Sequence, residues 1–236
     1  NKKIGVICME VTRNEKPKKN FLKKVRSLCN KKGIVLIFDE CTSGFRKNYG
    51  GIHKMFKVNP DIAIFGKALG NGYAITAIIG KKKIMNYSQD SFISSTFWTE
   101  RIGLAAALAT LKEMKKRKSW KVINSNGNYI IKKLRKISKK HDLKIKIQAL
   151  PSLCNYTILS KDWQKYKTLI SQEMLKKGFL ASNAVYSSIA HTKKIIDKYF
   201  KELDKIFKVI KDCENGKKIS SYLKHPVCHR QFKRLN

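Results

Sequence analysis

Residues 34–46 read Ile34-Val-Leu-Ile-Phe-Asp-Glu-Cys-Thr-Ser-Gly-Phe-Arg46, and residues 60–72 read Pro60-Asp-Ile-Ala-Ile-Phe-Gly-Lys-Ala-Leu-Gly-Asn-Gly72. Each contains a short unbroken apolar run, the pattern of a strand buried on both faces. The first run stops at Asp39, the second at Gly66-Lys67. A third run, Ile4-Gly-Val-Ile-Cys-Met9, reads as another buried strand and stops at Glu10. Glu10, Asp39 and Lys67 thus follow strands at intervals of 29 and 28 residues. About 30 residues is the length of a βαβ unit, whose two strands are parallel. Open α/β sheets bind ligands beyond the carboxyl ends of their strands. The spacing therefore predicts two acids and a lysine gathered at one rim.

The flanking sequence agrees. Residues 17–32 predict a helix, with Pro17 early, Phe21, Leu22, Val25, Leu28 and Cys29 on one face, and Gly33 as its stop. Ile75–Ile79 predicts a further strand, and Arg101–Arg117 and Ser119–Lys140 two helices. Beyond them the period changes. Leu143, Ile145, Ile147 and Ala149 alternate with polar residues as in a half-buried strand. Tyr156–Leu159 reads as a second strand and Phe179–Ala181 as a third; helices are expected over 162–177 and Thr192–Cys213. The expected organisation is residues 1–118 as part of a mostly parallel α/β domain and 119–236 as a small α+β domain.

The composition bounds the function. The 236 residues carry 52 Lys and Arg against 16 Asp and Glu, a formal charge of +36. Of the basic residues 44 are Lys and only 8 Arg, and the Lys are spread evenly, 20 in 1–118 and 24 in 119–236. A nucleic-acid footprint is clustered and draws on Arg. Ile (27) and Asn (15) are also frequent. Lys, Ile and Asn share AT-rich codons, so genome composition is the simpler source of the excess. A basic nucleic-acid-binding protein is therefore the lesser reading, and no specific nucleic-acid partner is expected. No run approaches the roughly 20 apolar residues of a membrane span, and no signal peptide is visible. The six cysteines form no C-x-x-C pair and sit mostly in apolar runs. They predict buried free thiols and a reducing, cytoplasmic compartment. His225, Cys228 and His229 make too sparse a set for a metal site, and none is expected.

A lysine straight after a buried strand is ordinarily a charge at a sheet edge, and an acid there a loop solubiliser or cap. Together they match another need. Burial at the rim would favour a neutral amine, the form that makes a Schiff base. A pyridoxal cofactor requires both that amine and an acid on its ring nitrogen.

The two quoted segments resemble the D-E-V-x-T-G-F-R and P-D-x-x-x-x-G-K-x-x-G-x-G segments of class III pyridoxal-phosphate aminotransferases. Ser95-Thr-Phe-Trp-Thr-Glu-Arg101 is similar to the family's stretch whose Thr binds the cofactor phosphate of the neighbouring subunit. Ser188-Ile-Ala-His-Thr192 and the terminal amphipathic helix resemble the glutamate-1-semialdehyde 2,1-aminomutase branch. The resemblance implies the major domain of the aspartate aminotransferase-like fold, pyridoxal 5'-phosphate as cofactor, and a homodimer acting on a small-molecule amino donor and acceptor. It implies Lys67 as the imine lysine and Asp39 as the partner of the ring nitrogen. Cys41 stands where the family has Val against the ring face, and Thr42 approaches the ring hydroxyl. Thr96 would hold the partner's phosphate, and Glu10 would lie near substrate, although Val11 replaces the Pro of the family's E-P pair. The family's long section before the Glu10 strand, with its phosphate cup and ring-stacking aromatic, has no counterpart in these residues. With Asn1 in place of Met, the expectation is that an N-terminal part precedes this sequence. The alternatives are a catalytically inactive fragment or a remnant of such an enzyme.

Overall fold

A computed structural model describes residues 4–12, 15–147 and 150–229. The chain divides into two compact units, Asn1–Val122 and Ile123–Asn236.

The first unit is built on a four-stranded sheet in the order β1-β2-β3-β4: β1 (Val6–Glu10), β2 (Val35–Asp39), β3 (Ile62–Phe65) and β4 (Ala77–Gly80). β1 pairs with β2 and β2 with β3 in parallel, and β4 closes the sheet antiparallel to β3. The sheet is thus mainly parallel, as the βαβ spacing predicts. The run expected to be a buried strand at Ile4–Met9 is instead the edge of this sheet. Val6 and Cys8, which share one face of β1, are exposed, and among the described residues β1 pairs only with β2.

Helix α1 (Phe21–Lys32) makes the crossover from β1 to β2. It begins four residues after Pro17, behind a left-handed Asn20 (φ 64°), and stops at Gly33, whose φ of 65° suits a residue without Cβ. The crossover from β2 to β3 is irregular, with one short 3₁₀ turn at Ile52–Phe56. Asp61 fastens the start of β3: its Oδ2 accepts from Leu36 N and Arg26 Nη1 at 2.8 Å each, and Lys81 Nζ lies 2.7 Å from Oδ1. After β4 come a short helix α2 (Lys82–Met85) and α3 (Arg101–Arg117). Left-handed Lys118 (φ 48°) ends α3, and α4 (Ser119–Lys140) follows at once. Both helices have the bounds their sequence predicts.

The second unit carries an antiparallel sheet in the order β5-β6-β7: β5 (Ile145–Ile147), β6 (Leu153–Ile158) and β7 (Ala184–Tyr186). Helices α5 (Trp163–Leu175) and α6 (Lys193–Glu214) pack on it around Tyr156, Tyr166, Ile170, Leu203 and Phe207. The expected first strand is found at β5, with Ala149 outside the described residues. The third strand lies later than expected. After Gly178 (φ 78°) the chain turns Phe179 onto Tyr199 and exposes Leu180, and residues 184–186 pair with β6 instead. Thr192 caps α6 through Oγ1, which accepts from Ile195 N at 3.3 Å.

All six cysteines are free thiols, but only Cys29 and Cys154 are buried; Cys8 is exposed and the others half-buried. The apolar runs that suggested burial include an edge strand and helix flanks. Among the described residues no cluster of His, Cys, Asp and Glu could hold a metal ion. No helix among them is long and apolar enough to cross a membrane.

Candidate active site

Parallel pairing puts the ends of β1 and β2 side by side: Glu10 is the register partner of Asp39. Asp39 in turn lies opposite Ile64, one residue before the end of β3, so Gly66 and Lys67 emerge at the same rim. The chain turns sharply there through a 3₁₀ turn, Lys67–Leu69. Lys67 itself is left-handed, with φ 42°. Such a conformation costs an L-residue roughly 1–2 kcal/mol, so Lys is not the residue this backbone favours.

Lys67 Nζ donates to Thr42 Oγ1 at 2.7 Å. The burial expected for this amine is not found. Leu69 fills the inward side of the turn, and Lys67 is exposed. Asp39 is half-buried and its Oδ1 accepts from Cys41 N at 2.9 Å, so the acid is oriented by its own loop. The Cys41 side chain packs toward Gly66: a Cβ added to that glycine would lie 3.3 Å from Cys41 Sγ and 3.3 Å from Thr76 Cγ2. Burial pushes the Cys41 thiol above its ordinary range. Asp39 and Glu10 add to that shift and Lys67 opposes it. Strand register and these bonds bring Glu10, Asp39, Cys41, Thr42 and Lys67 to one rim.

Thr96 lies apart from this group in the chain, exposed in the turn before α3. A helix start holds an anion through its first free amides. In α3 these are taken by the chain itself: Glu100 Oε1 accepts from Ile102 N at 2.9 Å and Oε2 from Gly103 N at 3.3 Å. A carboxylate one residue before the helix is well placed for its positive end.

Sequence reasoning missed the layer beneath the rim. Glu40 is fully buried, and so are Ser43 and His53. Glu40 Oε2 accepts from Ser43 Oγ at 2.5 Å. Its Oε1 accepts from His53 N at 2.9 Å and lies 2.9 Å from His53 Nδ1. Burial alone would raise the Glu40 carboxyl. The bonds from the His53 side chain, Ser43 and the amides of His53 and Ile52 outweigh it, and the pKa is lowered. One signal was available: a second acid directly after Asp39 must face the other way along a strand, into the protein.

The model of the family described as Aminotransferase class-III matches residues 14–212. Glutamate-1-semialdehyde 2,1-aminomutase of Wigglesworthia glossinidia brevipalpis is 32% identical over 215 residues, 83% of this chain and 49% of the relative. A 3-aminobutyryl-CoA aminotransferase of Cloacimonas acidaminovorans is 35% identical over 154 residues, 65% of this chain and 37% of the relative. The chain spans about half the length of the aminomutases it matches. Among solved structures, the FumI protein of Sphingopyxis sp. MTA144 superposes with TM-score 0.81 at 21% identity, covering 90% of this chain and 53% of that one. Acetylornithine aminotransferase of Elizabethkingia anophelis gives 0.75 at 23% identity, covering 85% and 53%. Those two share the α/β fold. The family match takes in both strand ends that carry Asp39 and Lys67, and the chain belongs to the class-III aminotransferase family.

Proposed function

We propose that this chain carries the cofactor-anchoring part of a pyridoxal-phosphate-dependent enzyme that moves an amino group. It does so between two small molecules, as an aminotransferase, or within one, as a glutamate-1-semialdehyde aminomutase-like isomerase. The observation that carries the reading is Lys67. It is held left-handed just past a buried strand, with its amine on Thr42, at the rim where Asp39 ends the adjacent strand. Most of the curated relatives described as similar are aminomutases, which favours the second reaction.

The donor set fits the cofactor at two of its ends: an amine for the carbonyl and a carboxylate for the ring nitrogen. When bound, pyridoxal phosphate supplies an electron-accepting ring that stabilises negative charge on the substrate α-carbon. Lys67 Nζ would be the covalent anchor and, once released, the base that moves a proton between carbons. Asp39 would hold the proton on the ring nitrogen. Cys41 would lie against the ring and Thr42 near its hydroxyl, while Glu10, beside Asp39, would face substrate. The phosphate is not met by the first amides of α3, which Glu100 occupies. Thr96 would meet the phosphate belonging to a second copy, which makes the working unit a homodimer with shared sites.

The test is chemical. The chain is incubated with pyridoxal 5'-phosphate, reduced with borohydride and mapped by peptide mass. The label is expected at Lys67 ahead of the other 43 lysines, and to fall in Asp39→Asn. A label distributed over exposed lysines without preference for Lys67 would overturn the assignment.

A further inference from the structure

We propose that Glu40, through Ser43 and His53, is the positioning residue of the rim that carries Asp39, Thr42 and Lys67; this rests on the reading of that site given above. Glu40 follows Asp39 and extends the β2–β3 pairing by one bond, Glu40 N donating to Ile64 O at 2.8 Å. Successive residues of a strand face opposite sides. Asp39 is thereby turned to the rim and Glu40 to the interior, where it is fully buried. A buried carboxylate with no task beyond filling space is replaced by an apolar side chain without loss. Among the described residues the partners of this carboxylate come from the segment it begins: Ser43, three residues on, the amide of Ile52, and the amide and ring of His53, thirteen residues on. Glu40 O also accepts from Gly44 N at 2.7 Å. The residue closes its own loop at both ends.

That closure reaches the rim by two bonds. Cys41 N–H orients Asp39 Oδ1, and Thr42 Oγ1 takes the Lys67 amine. Both donor and acceptor lie between Glu40 and Ser43 in the chain, so a drift of the loop moves the acid and the lysine's partner together. The packing of the closure leaves no slack. A Cβ on Gly51 would stand 2.4 Å from two ring atoms of His53 and 2.9 Å from Glu40 Oε1. Only glycine lets the backbone pass there.

The experiment uses the full chain in four forms: wild type, Ser43→Ala, His53→Ala and His53→Asn. Asn is the conservative replacement, since its side-chain amide can donate to Glu40 Oε1 in place of Nδ1. Hydrogen exchange without cofactor is read first. The amides of 41–44 are expected to exchange about tenfold faster in His53→Ala, with those of β2 and β3 unchanged. Ser43→Ala should move them in the same direction by less. The second reading is the borohydride label at Lys67 relative to the exposed lysines of the same chain, an internal ratio that general destabilisation would not move. It should fall by roughly threefold or more in His53→Ala and recover in His53→Asn. A folded His53→Ala or Ser43→Ala chain with wild-type exchange at 41–44 overturns the proposal, as does an unchanged ratio in both. Absence of a preferred Lys67 label in the wild type is a separate result: it overturns the reading of the site, while exchange still decides whether Glu40 holds the loop.

Discussion

Three donors converge on the Asp61 carboxylate: Leu36 N, Arg26 on α1 and Lys81 beyond β4. Burial would push its pKa up, but the bonds from Leu36, Lys81 and Arg26 outweigh that and bring it down to about 2, from 3.8. A pKa lowered by folding stabilises the native state above the unfolded value, and that contribution is lost as pH falls through the folded one. The shift is worth on the order of 2 kcal/mol. Asp61→Asn is expected to lower unfolding stability at neutral pH by about that amount in urea titrations. The gap to wild type should close between about pH 4 and pH 2. Asp39 and Lys67 could be singled out in the sequence because a strand end is visible as the stop of an apolar run. Asp61 and Glu40 were not, because what they do depends chiefly on partners 13 to 35 residues away. The exposure of Lys67 was equally hidden, since the direction of a side chain after a turn follows from φ, which for this residue is unusual.

Helix α4 contains Gly127, buried against the backbone of the 151–152 turn. In an isolated helix Gly→Ala gains about 1 kcal/mol. Here the added Cβ would lie 2.2 Å from Pro151 O and 2.9 Å from Ser152 N, backbone atoms that cannot rotate away. Overpacking of that kind costs about 1–3 kcal/mol or more, so contact outweighs propensity. Gly127→Ala is expected to lower the urea midpoint. Lys132→Ala, exposed on the same helix, should leave it nearly unchanged. A rise in the Gly127→Ala midpoint would show that the turn yields. Helices α3 and α4 were legible to the residue because their apolar periodicity runs up to Lys118 and resumes after it. Strands were less so. An apolar run does not tell a central strand from an edge one, which is why β1 looked buried, and Phe179–Ala181 is as apolar as the β7 segment that pairs with β6.

Across the whole chain, the formal charge of +36 comes mainly from evenly spread lysine. Such a surface attracts polyanions without reading them. Duplex DNA of any sequence is expected to retain the protein at about 50 mM salt and to release it by about 200 mM. Tight binding to one sequence at the higher salt would revive the nucleic-acid reading. The sheet has a different long-range effect. Because β4 runs back along β3, with Ala77 opposite Phe65, the segment 66–76 is pinned at both ends to neighbouring strands. The chain between them acts as a ruler. One residue inserted between Phe65 and Lys67 would move the amine away from its place opposite Thr42, although every side chain of the site would still be present. Insertions should be far better accepted between α2 and α3, where no strand pairing fixes the two ends. In this part of the molecule, chemistry is inherited as a number of residues as much as a choice of them.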